Sequence, residues 1–508
     1  MCSDLRFPCI PGIQLHHGRK LRGDRWQHAA LMLSSLTPER TQGFLPLEHY
    51  AALGDGRSIA LVGADGAIDW WCAPNMDSPP LFNRLHDRKG GHFTVAPVGT
   101  FRIERQYRND SNVLETLFIT STGSAKVTES LNSGVAGRLP WCELARRIEG
   151  VSGSVDFEIT LAPICAHGGL RRVNHPNAEV RYIGDLATTF CHDEQISIVV
   201  DDDERTTARF LARAGTKTCL AFLVADQAPL PTPKLNDIDR RIELSDEEWR
   251  RWANELTYDG PFKADLVRCA LSLKFLVYSK TGTIAAAATS GLPERIGGDK
   301  NYDYRYAWVR DAAYTIKALL RAGALQEPVG AFGWLVRTIA GDGPEPQVVY
   351  TLSGGEVPQE RMVDVPGYKG STPVRIGNRA RAQTQLSCYG DVLETAALFA
   401  RSGHVLDPQA ARLLENLAEQ CVRRWREKDC GIWELQDKQH YTFSKIGCWL
   451  ALTNAADLAK EGHIGGDANR WLAESRRIRD WITAIAGRRR SRPTHSMPAA
   501  TGSTRRCC

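Results

Sequence analysis

Two stretches of this chain carry residues whose types and spacing could do chemistry. The first, Gly291 to Asp311, reads G-L-P-E-R-I-G-G-D-K-N-Y-D-Y-R-Y-A-W-V-R-D and ends on the adjacent pair Arg310 and Asp311. Aromatic faces pack against the C–H surfaces of a pyranose ring, and a neighbouring cation and carboxylate hydrogen-bond vicinal hydroxyls, so this stretch suits a neutral sugar. The same spacing allows a plainer reading, in which Asp311 caps a helix beginning at Ala312 and Arg310 pairs with a nearby acid. Residue types alone leave the two level.

The second stretch, Lys428 to Trp449, centres on Gly431-Ile432-Trp433-Glu434 and continues through His440-Tyr441-Thr442-Phe443-Ser444-Lys445. A carboxyl held among aromatic and aliphatic neighbours keeps its proton to higher pH, because desolvation disfavours the charged form. Such a group can protonate a leaving glycosidic oxygen. Taken alone, a Trp–Glu pair beside a helix is more often ordinary packing with a solvated acid. A third stretch, Tyr50 to Phe82, contains Gly54-Asp55-Gly56, but no lysine or helix start follows to make a phosphate cradle, so the glycines read as turns. Asp69 and Trp70 there read as structural.

The elements that must position these residues fall into two blocks. From Leu45 to about Pro163, short β-branched or alternating runs such as Ser58 to Val62, Ala67 to Trp71, Phe93 to Ala96, Val113 to Thr120 and Val155 to Leu161 are divided by Gly, Asp, Asn and Pro. The pattern continues through Ile196 to Val200, Thr206 to Ala212 and Cys219 to Val224, which predicts an antiparallel β-sandwich over 44–243. Around Leu244 the character changes: Ser245 followed by three acids predicts a helix N-cap. Helical periods then occupy Lys263 to Lys280, Ala312 to Ala322, Val329 to Ile339, Ser387 to Ser402, Pro408 to Lys428, Ser444 to Lys460 and Ala468 to Ile485. Strands first and helices after is a segregated β-then-α chain, not a series of βαβ units.

Composition narrows the function classes. A chain of 508 residues with 43% hydrophobic and 24% charged residues has material for more than one core. The net charge of +5 does not point to nucleic acid, because residues 481–508 alone hold six arginines and no acid, leaving the rest close to neutral. The fourteen cysteines are scattered singly apart from Cys507-Cys508, with no CxxC pair, and read as buried thiols of a reducing compartment, with the cytoplasm expected. No run has transmembrane length, and no metal or cofactor is expected. Residues 1–43 read as a poorly ordered extension, and oligomeric state is not legible.

The stretch ending at Asp311 resembles a signature of glycoside hydrolase family 15, whose glucoamylases and bacterial trehalase-like members carry S-L-P-E-x-x-G-G-x-x-N-x-D-Y-R-x-x-W-x-R-D. The resemblance extends to Thr281 through Ala287, to Gly367-Tyr368-Lys369-Gly370-Ser371, to Val374 through Asn378, and to Gln383-Thr384-Gln385-Leu386 before Tyr389-Gly390. Relatives often carry an acid where this chain has Ser387, and that loop receives no catalytic role. The resemblance implies that Tyr304, Arg310 and Asp311 line the cleaved glucose, with Trp308 and Trp433 as further substrate-binding aromatics. Glu434 is implied as the general acid. The implied activity is inverting hydrolysis of an α-glucoside, trehalose or the end of an α-1,4-glucan. The implied fold is the trehalase-like N-terminal sandwich followed by part of an (α/α)6 barrel over 244–487.

The resemblance runs from about Leu45 to Gly487. The family's general base lies near the end of its barrel, and no residue here matches it, so the chain as printed is expected to be truncated or frameshifted and impaired in turnover. Residues 488–508 read as a basic, non-native tail; a shift of frame over Gly502 to Cys508 could restore a Leu-Asp-Ala-type run. A non-catalytic sugar-binding protein or inactive fragment is the alternative. A helical-repeat scaffold is weaker, because no 34- to 47-residue period is evident.

Overall fold

The computed structural model describes residues 36–490, except 134–138, 165–169, 176–177, 202–204, 227–231 and 344. Two antiparallel sheets are joined by one long strand, Cys142–Ala162. Its second half lies between His92–Pro97 and Thr206–Arg213, in a sheet that also holds Tyr50–Gly54, Ile59–Gly63 and Ala67–Cys72. Its first half lies between Gly123–Leu131 and Lys217–Asp226 in the other sheet. The strand changes sheets around Gly150 and Gly153. Gly153 has φ +57, and a Cβ on Gly150 would stand 2.0 Å from the Arg213 carbonyl, so neither position accepts a side chain.

The uninterrupted burial of residues 218–225 in the strand Lys217–Asp226 has a simple cause. Leu220, Phe222 and Val224 face the sandwich core, whereas Cys219, Ala221 and Leu223 face a second core shared with the helices. The element covering that second face is α1 (Leu235–Glu255), which presents Ile238, Ile242, Ser245, Trp249 and Trp252. The expected N-cap at Ser245 is therefore corrected. Helical spacing runs straight through it, its hydroxyl donates to the Arg241 carbonyl one turn back, and Asp246 pairs with Arg250 one turn on. The three acids lie in the middle of a helix, and the 243/244 boundary falls inside α1.

Among the described residues seven helices follow: α2 (Lys263–Phe275), α3 (Val309–Ala322), α4 (Gln326–Asp342), α5 (Ser387–Arg401), α6 (Pro408–Arg424), α7 (Thr442–Lys460) and α8 (Ala468–Arg490). Helix α5 packs between α3 and α7, while α4 lies against α3 and α6, and α6 and α8 against α7. This makes two helical layers. The inner contact between α5 and α7 is made by backbones, because a Cβ on Gly390 would stand 2.4 Å from the Gly447 carbonyl. Gly390→Ala is expected to cost about 1–3 kcal/mol through overpacking, read as an earlier urea midpoint of the helical signal.

Residues 36–43, expected to belong to a poorly ordered extension, pack on the sandwich: Leu36 pairs with Ile103, and Arg40 bridges Asp65 and Asp69. Residues 1–35 and 491–508, including most of the expected tail, lie outside the described residues. Among the described residues all nine cysteines are free, with Cys269 exposed rather than buried. No described helix is long and apolar enough to cross a membrane.

Candidate active site

The loop before α3 is fastened to the sandwich. Segments 286–291 and 302–306 run antiparallel through the bonds Ala286 N to Tyr306 O, Ala287 N to Tyr304 O and Gly291 N to Tyr302 O. Within it, Arg305 and Asp303 form a buried pair at 2.8 Å, and Arg305 also donates to the Ser78 carbonyl, 2.8 Å away in the sandwich. The Trp70 indole donates across the same junction to the Ala288 carbonyl. Asp69 binds Arg40, Arg84 and Tyr50. Trp70 thus helps to fix the loop that presents Tyr304, whereas the partners of Asp69 all lie within the sandwich.

The chain then pairs Ala307–Trp308 with Val349–Tyr350 and enters α3 at Val309. The helix thus begins three residues earlier than the capping reading requires. Asp311 sits in the first turn and makes no cap bond, where its charge is favourable beside the positive helix end. Arg310 points into the site: its guanidinium reaches Asp311 Oδ2 at 3.2 Å, the Ile432 carbonyl at 3.4 Å, Gln385 Oε1 at 3.5 Å and Glu434 Oε1 at 4.0 Å.

Glu434 lies in a turn beginning at Gly431, where its N–H donates to the Gly431 carbonyl at 3.2 Å. Its φ of +55 is in the left-handed region that a glutamate rarely occupies, so backbone strain is concentrated at this residue. The carboxylate accepts from the Trp308 indole at 2.7 Å and from Gln385 Nε2 at 3.5 Å. Burial pushes the carboxyl above its ordinary pKa; the donors Trp308 and Gln385 and the cation Arg310 pull the other way, and Asp311 adds to the rise. Burial is the largest influence, and the group is biased toward keeping its proton.

Of the residues singled out in the sequence, Tyr304, Trp308, Arg310, Asp311 and Glu434 are linked in one cluster. The Tyr304 and Trp308 rings lie 5.6 Å apart, and burial raises the Tyr304 hydroxyl to about 12. Trp308 is only 2% exposed and directs its polar atom at the acid, so it has almost no face left for a sugar. Trp433, at 77% exposed, stands beside the acid as an open aromatic surface.

Several neighbours carry no expectation from sequence. Gln383 Nε2 donates to the Glu434 carbonyl at 2.9 Å, and Gln385 joins Arg310 to the acid. The buried Asp429 carboxylate accepts from the Leu386 N–H at 2.8 Å. Asp391 on α5 is pushed up to about 7 by burial, with Lys317 and Arg310 opposing and Glu394 and Asp311 adding to the rise. Helix α5 holds two acids, Asp391 and Glu394, and nothing in their spacing singled out Asp391. Among the described residues no group of three or more metal-ligating side chains is clustered.

The chain is similar to known proteins over most of its length. Residues 260–497 match the family model described as Glycosyl hydrolases family 15, and residues 40–218 match one described as Trehalase-like, N-terminal. Trehalase of Thermoplasma volcanium is 29% identical over 87% of this chain and 71% of its own length. Trehalase of Mycobacterium tuberculosis is 30% identical over 88% of this chain and 69% of its own. A bacterial glucoamylase, solved in complex with acarbose, shares the fold with a TM-score of 0.61 at 12% identity, covering 85% of this chain and 66% of that one.

Proposed function

This chain belongs to glycosyl hydrolases family 15, and from that premise we propose that it is an inverting α-glucoside hydrolase acting on trehalose or α-1,4-glucan ends. The observation that carries the reading is the raised, largely buried Glu434 carboxyl, held 4.0 Å from Arg310 in a cluster with Asp311 and Tyr304. Glu434 donates its proton to the leaving oxygen. Arg310, Asp311 and Tyr304 hold the cleaved glucose, and Trp433 offers a face to the sugar beyond it. Trp433 is the exposed aromatic of the cluster, and the sugar's approach is assigned to its side.

The two helical layers fit part of an (α/α)6 barrel, with α3, α5 and α7 inside. The free thiols among the described residues suit a reducing compartment and support a cytoplasmic location. Inversion also needs a carboxylate about 6.5–9.5 Å from the acid to activate water. Asp311 is tied to Arg310, Asp391 is buried between helices, and Asp429 is spent on the Leu386 N–H. We assign none of the three as base. The test is proton NMR of the first product released from trehalose and maltotriose. β-Glucose is the expected result; α-glucose would overturn inversion, and binding without release would favour the sugar-binding alternative.

A further inference from the structure

The motif Gln383-Thr384-Gln385-Leu386 takes no part in the chemistry just described, yet it touches the acid-bearing turn at four points. The Cys430 N–H donates to the Thr384 carbonyl at 3.0 Å, and the Leu386 N–H donates to Asp429 at 2.8 Å. Gln383 Nε2 donates to the Glu434 carbonyl at 2.9 Å. The last contact is different in kind, because it reaches the carboxylate itself.

We propose that Gln385 is a positioning residue for the acid, its one amide joining the sugar-binding Arg310 to Glu434 so that the two side chains keep a fixed relation. The geometry is specific. Gln385 Oε1 accepts from Arg310 Nη1 and its Nε2 donates to Glu434 Oε1, each at 3.5 Å, and the residue is 5% exposed. Such bonds are commonly long before a substrate closes the site. An amide is the side chain that can serve here, since it offers an acceptor to a guanidinium and a donor to a carboxylate at once. A carboxylate in its place would compete for Arg310 and repel Glu434. Gln383 has a separable task, because it holds the backbone of the turn and leaves the carboxylate alone.

This inference rests on Glu434 being the acid, and its test separates the two. Acarbose carries a secondary amine where a substrate has its glycosidic oxygen, so its protonated form pairs with an ionised acid. Its affinity for the full 508-residue chain, measured by titration calorimetry across pH, should rise as Glu434 loses its proton. Gln385→Met keeps the length and volume of the side chain and removes both bonds. It should move the midpoint of that rise upward by about one pH unit, because a lost donor disfavours the carboxylate. Gln385→Glu should move it further the same way, by like-charge repulsion. Gln383→Met should weaken binding without moving the midpoint.

If Glu434→Gln abolishes the pH-dependent rise but Gln385→Met only lowers the melting temperature and leaves the midpoint in place, Gln385 is structural and the proposal fails alone. If the parent chain shows no rise attributable to Glu434, the acid assignment fails first and takes this proposal with it.

Discussion

Replacing Glu434 by glutamine is expected to lower glucose release from trehalose and maltose by about 10²–10⁴-fold relative to the same chain unsubstituted. The amide preserves shape and can still accept from the Trp308 indole, but it has no proton to give. Loss should therefore track the leaving group. Sugar alcohols are poor leaving groups and need the proton, whereas p-nitrophenolate departs without it, so p-nitrophenyl α-glucoside should lose far less. The pH profile carries a second sign. Because burial raises the Glu434 pKa, the acid stays protonated above the ordinary carboxylate range, and activity falls as pH rises through that raised value. The alkaline limb of kcat should disappear in the variant. Equal losses on both substrates, or an unchanged limb, would take Glu434 out of the mechanism.

How far the sequence carries this picture depends on the kind of signal. The Cys219 to Val224 part of Lys217–Asp226 was legible as a strand because its apolar run is short and bounded, but that its alternate residues face two different cores depends on α1, a partner that periodicity does not name. Ser245 misled because three acids after a serine are a good local N-cap, and only the tertiary cover of Trp249 and Trp252 reveals the helix continuing on both sides. At the site, residue types alone left Glu434 and Arg310 each beside a plain structural reading, and the family resemblance singled them out. Trp308 was legible as an aromatic but not in its use. The sequence suggests a sugar platform, and the fold buries the ring and spends its N–H on the acid. Gln385 carried no chemical signal, since an amide neither titrates nor attacks, and the residue it touches lies 49 positions away.

Arg310 is where the electrostatics of the cluster can be tested by sign as well as size. Its guanidinium lies within 4.0 Å of Asp311, Gln385, Glu434 and the Ile432 carbonyl. Arg310→Ala removes the cation from two neighbouring carboxylates and leaves a sugar hydroxyl unpaired. Truncating one partner of a buried charged contact costs about 2–5 kcal/mol, so acarbose should bind at least about thirty-fold more weakly. The pH midpoints should then divide by variant. Arg310 pulls the Glu434 pKa down and Asp311 pushes it up, so Arg310→Ala should raise the midpoint of acarbose binding and Asp311→Asn should lower it. A helix-capping role for Asp311 predicts no such opposition, only a shared loss of stability. Midpoints that move together, or affinities that do not change, would remove the pair from the sugar site and leave Arg310 as a structural ion-pair partner.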